Sequence, residues 1–312
     1  MSQLVIYPNI KKKAMSQEKE FYNLDKFSCN LATILARNRE VVAVNMKNLP
    51  NKCKVYITKN NAWSIKNLDY LNKVKETLIN VSKEASITFK QALNRNDVKD
   101  LYGTIIKYCS KKLESRLNKL RNKIANKEVK IDNEYIQSFL DYTKNKKINA
   151  DDIYNDKKKF AISRVESYIG SLRNITNCIC KDKYKNLFSS IDMNLLDPIH
   201  VDQSISSYYV IRSKLEEIYG NVAKQLEHEN GNHIYLHIEL NVLSHIMNND
   251  KERKFIAVSK SCCYLCESYI RFAKIKGHTI AFSGSHKKLY HRWKLPDAFK
   301  KEFMSNTLFD LD

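Results

Sequence analysis

The chain has 312 residues, of which 43% are hydrophobic and 28% charged, and it contains six glycines and four prolines. This composition excludes collagen-like and Gly/Pro-rich disordered chains, and it argues against an all-β sandwich, which needs many turn residues. No apolar run approaches the ~20 residues that cross a bilayer. The first residues lack a basic flank followed by an apolar core, so we expect a helix-rich cytoplasmic or intracellular protein with no membrane partner. Export as an effector by a route other than the general secretory one stays open.

The net charge of +20 indicates anionic partners, most often nucleic acid. The excess is mostly lysine, alongside abundant Asn and Ile, so codon drift in an AT-rich genome is an alternative explanation. The eight cysteines are expected to be reduced thiols rather than a disulfide scaffold.

The first elements are a helix, a strand, a turn and a strand. Residues 30–37 have helical spacing, and residues 41–46 and 54–58 are rich in β-formers. Residues 48–52 lie between the two strands and have the composition of a turn.

A long segment without proline follows, from Ser64 to Asp197. One amphipathic stripe is formed by Leu113, Leu117, Leu120 and Ile124, and it is interpreted as a packing face. The segment and its continuation predict an all-helical block, with helices over 66–95, 134–144, 157–176 and 203–227.

After Gly231 the pattern alternates between helix and strand. A mostly apolar stretch begins at His233 and leads into a predicted helix that ends near Met247. The order that follows is typical of an α/β fold on a parallel sheet: strand 255–259, helix 263–274, strand 278–283 and helix 296–304.

Two short motifs flank the strand at 255–259. His237 and Glu239 are two residues apart, so they converge only where a loop enters a helix N-terminus. Cys263 and Cys266 are three apart, so at a helix start both sulfurs can face one ion. One imidazole and two thiolates suit Zn²⁺, and three protein ligands leave a fourth position for water, as in catalytic sites. Glu239 is then a non-ligand carboxylate that can move protons. The alternative is a chance Cys-x-x-Cys motif and a histidine that only packs.

The pair resembles His-x-Glu followed by Pro-Cys-x-x-Cys, which is the signature of zinc deaminases that act on nucleobases. The segments Ser259-Lys-Ser-Cys-Cys-Tyr-Leu-Cys266 and Gly284-Ser-His-Lys-Lys-Leu-Tyr-His-Arg-Trp-Lys-Leu-Pro296 resemble a fungal and rickettsial family of predicted nucleic-acid deaminases. That family belongs to the zinc-dependent cytidine deaminase-like superfamily. The resemblance covers about residues 233–297.

The resemblance implies a three-layer cytidine deaminase-like α/β sheet with flanking helices, in a catalytic domain that is split in sequence. Residues 25–63 and 230–312 would form this domain, 64–229 a large all-helical insertion, and 1–24 an N-terminal extension. The alternative is a separate helical N-terminal domain with its own hairpin. The insertion is a candidate for self-association or for binding a protein partner.

The resemblance also implies a reaction, hydrolytic deamination of cytosine, with adenine as the second candidate. His237, Cys263 and Cys266 would hold Zn²⁺, and Glu239 would be catalytic. Two positions depart from the family pattern. Ile238 replaces the usual Ala and could narrow the pocket, and Cys262 replaces a frequent Pro and could compete as a ligand.

The residues around the proposed zinc segment, Ser259 to Cys266, suggest a single-stranded nucleic acid substrate. Residues 251–302 contain thirteen Lys/Arg and four Asp/Glu, interleaved with Tyr290 and Trp293. The alternative is a solvated basic surface with Trp293 in the core. The candidate substrate-binding residues are His286, Lys288, Trp293, Asn60 and Asn61, the two asparagines because superfamily members place an Asn near the sugar.

Three functions therefore stay open. The first is deamination of a base in RNA or single-stranded DNA. The second is deamination of a free nucleoside or nucleotide, which would need neither the basic surface nor the long insertion. The third is a non-catalytic zinc-stapled module that binds nucleic acid or protein, with Cys262 or His286 closing the fourth zinc position.

Overall fold

The computed structural model describes residues 23–38, 40–50, 52–125, 166–199, 236–247, 252–286, 296, 301–303 and 305. Several predicted features lie outside these residues: most of the 1–24 extension, the helices at 134–144 and 203–227, and most of the helix at 296–304. The side chains of the stripe formed by Leu113, Leu117, Leu120 and Ile124 also lie outside the description, although their backbone is helical.

The predicted hairpin is confirmed. Strand β1 (Val42–Leu49) pairs antiparallel with β2 (Lys52–Lys59), in a register that joins Val42 to Lys59 and Leu49 to Lys52. Both strands are longer than predicted, because their ends include Asn and Lys residues that propensity alone does not assign to a strand.

The hairpin forms the centre of a mixed sheet. In the described part of the chain the sheet has five strands, in the order β3-β2-β1-β4-β5, with β3 at Ile191–Leu195, β4 at Lys254–Val258 and β5 at Ile280–Phe282. The outer pairs β2–β3 and β4–β5 are parallel, whereas β1 and β4 are antiparallel. The sheet is therefore mixed, not purely parallel. Every residue of β4 is buried, as predicted for a strand covered on both faces.

Helices cover both faces of this sheet. Among the described residues, no helix is long and apolar enough to cross a membrane. In chain order the helices are α1 (Asn23–Leu35), α2 (Ile65–Lys83), α3 (Phe89–Asn94), α4 (Asn96–Ala125), α5 (Glu166–Ile179), α6 (Lys185–Ser189), α7 (Ile238–Ile246) and α8 (Tyr264–Ile275).

Two hydrophobic clusters separate the three layers. On β1, Val42 and Val44 pack in the cluster formed with α1–α6, whereas Ala43 belongs to the cluster formed with α7 and α8. On β4, Ile256 and Val258 likewise face α7 and α8. This alternation follows the two-residue period of a strand, and it produces a three-layer α/β arrangement with flanking helices.

The all-helical prediction for residues 64–229 is wrong at residues 191–195, which form β3. Ile191 is buried in the same cluster as α1 and α2, and Met193 and Leu195 pack against it. Asp192 and Asn194 alternate with them and have low β-propensity, which hides the strand from propensity reasoning. The described helices α2–α6 share one core with β1 and β2. The division into catalytic domain and insertion stays a prediction.

The start of β1, the end of β2 and the end of β4 lie next to one another at one edge of the sheet. The Val42 N–H donates to Ser259 Oγ at 3.0 Å, and the Ser259 N–H donates to the Val42 carbonyl at 2.9 Å. On the other side, the Asn60 N–H donates to the Val41 carbonyl at 3.2 Å. The proposed zinc segment begins just after β4, so it starts at this edge.

Candidate metal centre

Helix α7 begins at the His-Ile-Glu motif, as its spacing predicts. His237 is the N-cap residue with extended backbone angles, and its carbonyl accepts hydrogen bonds from the N–H groups of Leu240 and Asn241, both at 2.9 Å. Glu239 lies in the first turn and is buried. The bend of the chain at His237 lets the side chains at 237 and 239 approach one another despite their spacing.

Helix α8 begins in the same way at the Cys-x-x-Cys motif. Cys263 is the N-cap residue, and its sulfur accepts a hydrogen bond from the Cys266 N–H at 3.4 Å. A sulfur therefore takes the capping role that Ser or Asp usually has. The positive end of the helix dipole favours the thiolate form of both cysteines.

The two helix starts bring three donor atoms together. His237 Nδ1 lies 3.6 Å from Cys263 Sγ and 3.3 Å from Cys266 Sγ, and all three atoms lie within 4.8 Å of one another. Typical Zn–S and Zn–N bond lengths in a tetrahedral site put sulfur and nitrogen about 3.6 Å apart. The donor set and its spacing therefore fit Zn²⁺. Among the described residues, His237, Cys263 and Cys266 form the group able to hold a metal.

The pKa values of the two thiols move in opposite directions. Hydrogen bonding from Cys266 is the main cause that lowers the pKa of Cys263 to about 5, and His237 contributes in the same direction. Burial raises the pKa of Cys266 well above its usual value. One thiolate is therefore favoured even before a metal binds, and a bound cation would favour the second.

Glu239 is placed beside this group. Its Oε2 lies 3.7 Å from Cys266 Sγ, and its carboxylate is also hydrogen-bonded to the Cys262 side chain. Burial raises the pKa of Glu239, while the His237 charge opposes this shift. A buried carboxyl with a raised pKa, next to a group suited to zinc, has the properties of a proton carrier.

Cys262 is fully buried, and burial raises the pKa of its thiol. The Cys262 N–H donates to the Gly284 carbonyl at 2.9 Å, and the His286 N–H donates to the Cys262 carbonyl at 3.0 Å. Gly284 has a φ of 113°, which a side chain would strain. This pairing brings the backbone of His286 next to the zinc segment. Lys288 and Trp293 lie outside the described residues.

The two asparagines after β2 have different environments. Asn60 Oδ1 accepts a hydrogen bond from the Val41 N–H at 2.9 Å, so this side chain helps to hold the hairpin end. Asn61 is exposed to solvent. Of the two predicted substrate contacts, the structure presents Asn61 at the surface and assigns Asn60 a structural hydrogen bond.

Sequence reasoning missed Asn241, which lies two residues after Glu239. Its Nδ2 donates to Thr58 Oγ1 at 2.8 Å and to the Asp197 carbonyl at 3.1 Å. The side chains of Asn241 and Thr58 are both buried. The Oδ1 of Asn241 is buried and has no hydrogen-bond partner among the residues that the structure describes. The only sequence signal is a polar residue within the apolar run of α7, and the partners lie far away in sequence.

Comparison with known families agrees with this geometry. Residues 236–297 match the family model described as "OTT_1508_deam:-like deaminase". The match covers about a fifth of the chain and contains both motifs, and it supports assignment to a deaminase family. The fungal and rickettsial range suggested by the resemblance stays a prediction. No curated protein and no solved structure matches the chain.

Proposed function

We propose that this protein is a zinc-dependent hydrolytic deaminase that acts on a base in RNA or single-stranded DNA, with cytosine preferred over adenine. The observation that carries the proposal is the convergence of His237, Cys263 and Cys266 at two helix N-termini, with the Glu239 carboxylate beside them. The deaminase match over residues 236–297 supports the same reaction class.

His237 Nδ1 and the sulfurs of Cys263 and Cys266 would hold Zn²⁺. When bound in such a site, zinc lowers the pKa of a coordinated water to about 7. The fourth position stays open in this assignment, because the metal-holding group among the described residues does not include Cys262 or Glu239.

Glu239 would be the catalytic residue that moves protons. Its carboxylate takes a proton from the attacking water and delivers it to N3 of cytosine. It then takes the proton of the hydroxyl group formed at C4 and delivers it to the amino group, so that the C4 carbonyl forms and ammonia leaves. Cytosine and water are thereby converted to uracil and ammonia. The raised pKa of Glu239 supports this role, since a group that both takes and gives protons works best when its pKa is close to the operating pH.

The preference for a polymer rests on charge. Residues 251–302, which contain the zinc segment, have thirteen basic and four acidic residues. Exposed residues in the described part of this range include Lys260, Lys274 and Lys276. Such a surface lowers the free energy of binding a phosphate backbone, with a strong salt dependence. His286 and Asn61 are proposed substrate contacts, and Lys288, Trp293 and Asn60 stay weaker candidates.

The test is a pool of random-sequence RNA and single-stranded DNA, incubated with zinc-loaded protein and sequenced for C-to-U and A-to-I changes. Changes are expected with wild type and not with Glu239→Gln, whose zinc content should stay equal to wild type. Glu252→Gln is the matched control, because that carboxylate is about half exposed and pairs with Lys47. This control should keep full activity.

Each other outcome selects an alternative. Turnover of free cytidine without any change in oligonucleotides would favour a nucleoside deaminase. Retained zinc with no turnover of polymer or nucleoside would favour a non-catalytic module. Activity that survives in Glu239→Gln would overturn the assignment of Glu239.

A further inference from the structure

A buried ion pair lies at the sheet edge where the zinc segment begins. The Lys59 Nζ is 3.1 Å from Glu40 Oε1, and the two side chains are only 2% and 5% exposed. Arg37 pairs with the same Glu40 oxygen at 2.6 Å, but it is 35% exposed. Removing Lys59 and Glu40 from water is costly, and apolar replacements of buried pairs are often no less stable. Packing alone therefore does not account for this pair.

Lys59, the cation of this pair, closes the loop that follows β2, residues 60–63. Lys59 Nζ donates to Asn67 Oδ1 at 2.7 Å, and the Ser64 N–H donates to the same oxygen at 2.9 Å. The residues that flank the loop, Lys59 and Ser64, thus donate hydrogen bonds to the same oxygen of Asn67, which lies in the first turn of α2. Lys59 Nζ also lies 5.1 Å from the centre of the Trp63 ring, within cation–π range.

The far end of the loop is fixed to the neighbouring strand. Trp63 Nε1 donates to the Leu196 carbonyl at 3.0 Å, just beyond the end of β3. With Asn60 bonded to Val41, each end of the loop has a defined partner. Between these anchors, Asn61 and Ala62 are exposed.

The loop directly follows a strand that is bonded to the helix carrying Glu239. Thr58, one residue before Lys59, is bonded to Asn241 of the helix that carries Glu239. Glu40 directly precedes Val41 and Val42, and Val42 is paired with Ser259 at the end of β4. The ion pair therefore lies where the ends of β1, β2 and β4 meet.

We infer that Lys59 and Glu40 are positioning residues: their buried pair fixes the 60–63 loop, so that Asn61 is held in one conformation for contact with the substrate. This inference rests on the proposed function for its kinetic consequence. Its structural consequence, a fixed loop, is independent of any activity. A loop held in one conformation loses less entropy when substrate binds.

The test uses Trp63 as a probe of the loop. The chain has two tryptophans, so Trp293→Phe leaves Trp63 as the single emitter. In that background, Lys59→Met/Glu40→Gln should raise the acrylamide quenching constant of Trp63 at least about twofold, because the loop opens to solvent. The matched control is Arg95→Met/Asp97→Asn, which removes the ion pairs of Arg95 with Asp97 and Glu84 at the junction of α3 and α4 and should leave quenching unchanged.

The kinetic readout separates positioning from general destabilisation. In the native Trp293 chain, the Lys59/Glu40 double variant should raise KM for an oligonucleotide roughly tenfold, while kcat and zinc content stay within about twofold of wild type. A purely structural role would instead lower the midpoint of unfolding and leave KM unchanged below it.

Unchanged quenching and unchanged KM in the double variant would overturn the inference. If the double variant does not fold, Lys59→Gln, which keeps a donor for Asn67, must show a smaller increase in quenching, and no increase overturns the inference as well. If wild type deaminates nothing, the proposed function fails, and the quenching result alone decides whether the pair fixes the loop.

Discussion

The hydrogen bond between Asn241 and Thr58 makes a quantitative prediction about how α7 is fixed to the sheet. Both residues are buried, and their bond joins helix α7 to strand β2 at 2.8 Å. Asn241→Leu removes this bond and the one to the Asp197 carbonyl, each with a net contribution of about 0.5–1.5 kcal/mol. The substitution also removes the buried Oδ1, which has no partner in the described part of the chain, and this removal offsets part of the loss. We therefore expect Asn241→Leu to lower the free energy of unfolding by less than the about 1–3 kcal/mol that the two bonds sum to.

A double-mutant cycle isolates the bond itself. Thr58→Val alone should cost about 1 kcal/mol, and the double variant should be roughly 1 kcal/mol more stable than the sum of the single effects, because neither group is then left unpaired. The assay is urea unfolding followed by far-UV circular dichroism, with zinc at one fixed concentration. Additivity within about 0.3 kcal/mol would refute the coupling between Asn241 and Thr58.

Three further predictions concern the core, the ion pair and the thiols. Ile256→Ala, in the fully buried centre of β4, should lower the free energy of unfolding by about 2–5 kcal/mol in urea, whereas Ile275→Ala, at an exposed position, should change it by less than about 0.5 kcal/mol. Burial raises the pKa of Glu40, but Arg37 and Lys59 outweigh this effect and hold the pKa below its ordinary value, so the unfolded state binds the proton more readily. The resulting stabilisation is present above about pH 4.3 and is lost as the pH falls through the lowered pKa. Glu40→Gln should therefore flatten the decline of the unfolding midpoint measured between about pH 5 and 3. Cys263 is buried, but its pKa is lowered to about 5, so mass spectrometry should find it labelled by iodoacetamide faster in metal-free than in zinc-loaded protein; Cys53, whose pKa burial raises to about 12, should be labelled more slowly than metal-free Cys263 in both states. A steep acid decline that persists in Glu40→Gln would contradict the second prediction, and equal labelling of Cys263 with and without zinc would contradict the third.

Local patterns in the sequence predicted the elements that carry the site. The spacings of His237 to Glu239 and of Cys263 to Cys266 require helix N-termini, and the structure has both pairs there. Alternating or continuous apolar runs identified β1, β2, β4 and β5, because burial against one or two layers imposes those patterns.

Long-range pairing could not be predicted in the same way. Strand β3 has the alternation of Ile191, Met193 and Leu195, but its Asp and Asn residues and its helical surroundings outweigh so short a signal. The antiparallel pairing of β1 with β4 and the bond from Asn241 to Thr58 join residues about 200 positions apart. Nothing within either local segment specifies such a partner.

The polar residues near the site show the same limit. The sequence marks Asn60 and Asn61 equally, and only the fold reveals that Asn60 holds Val41 while Asn61 is exposed. In the sequence, Lys59 and Glu40 look like ordinary surface charges. Only the structure shows that the sheet and α2 bury them as a pair.

The proposed activity requires one zinc ion per chain, held by His237, Cys263 and Cys266. Zinc K-edge X-ray absorption on stoichiometrically loaded protein tests this directly. The predicted spectrum has two sulfur donors at about 2.3 Å and two nitrogen or oxygen donors at about 2.0–2.1 Å, and one of the two sulfur donors should be lost in Cys266→Ala. A protein that binds no zinc, or one whose zinc has three or four sulfur donors, would contradict the open catalytic site.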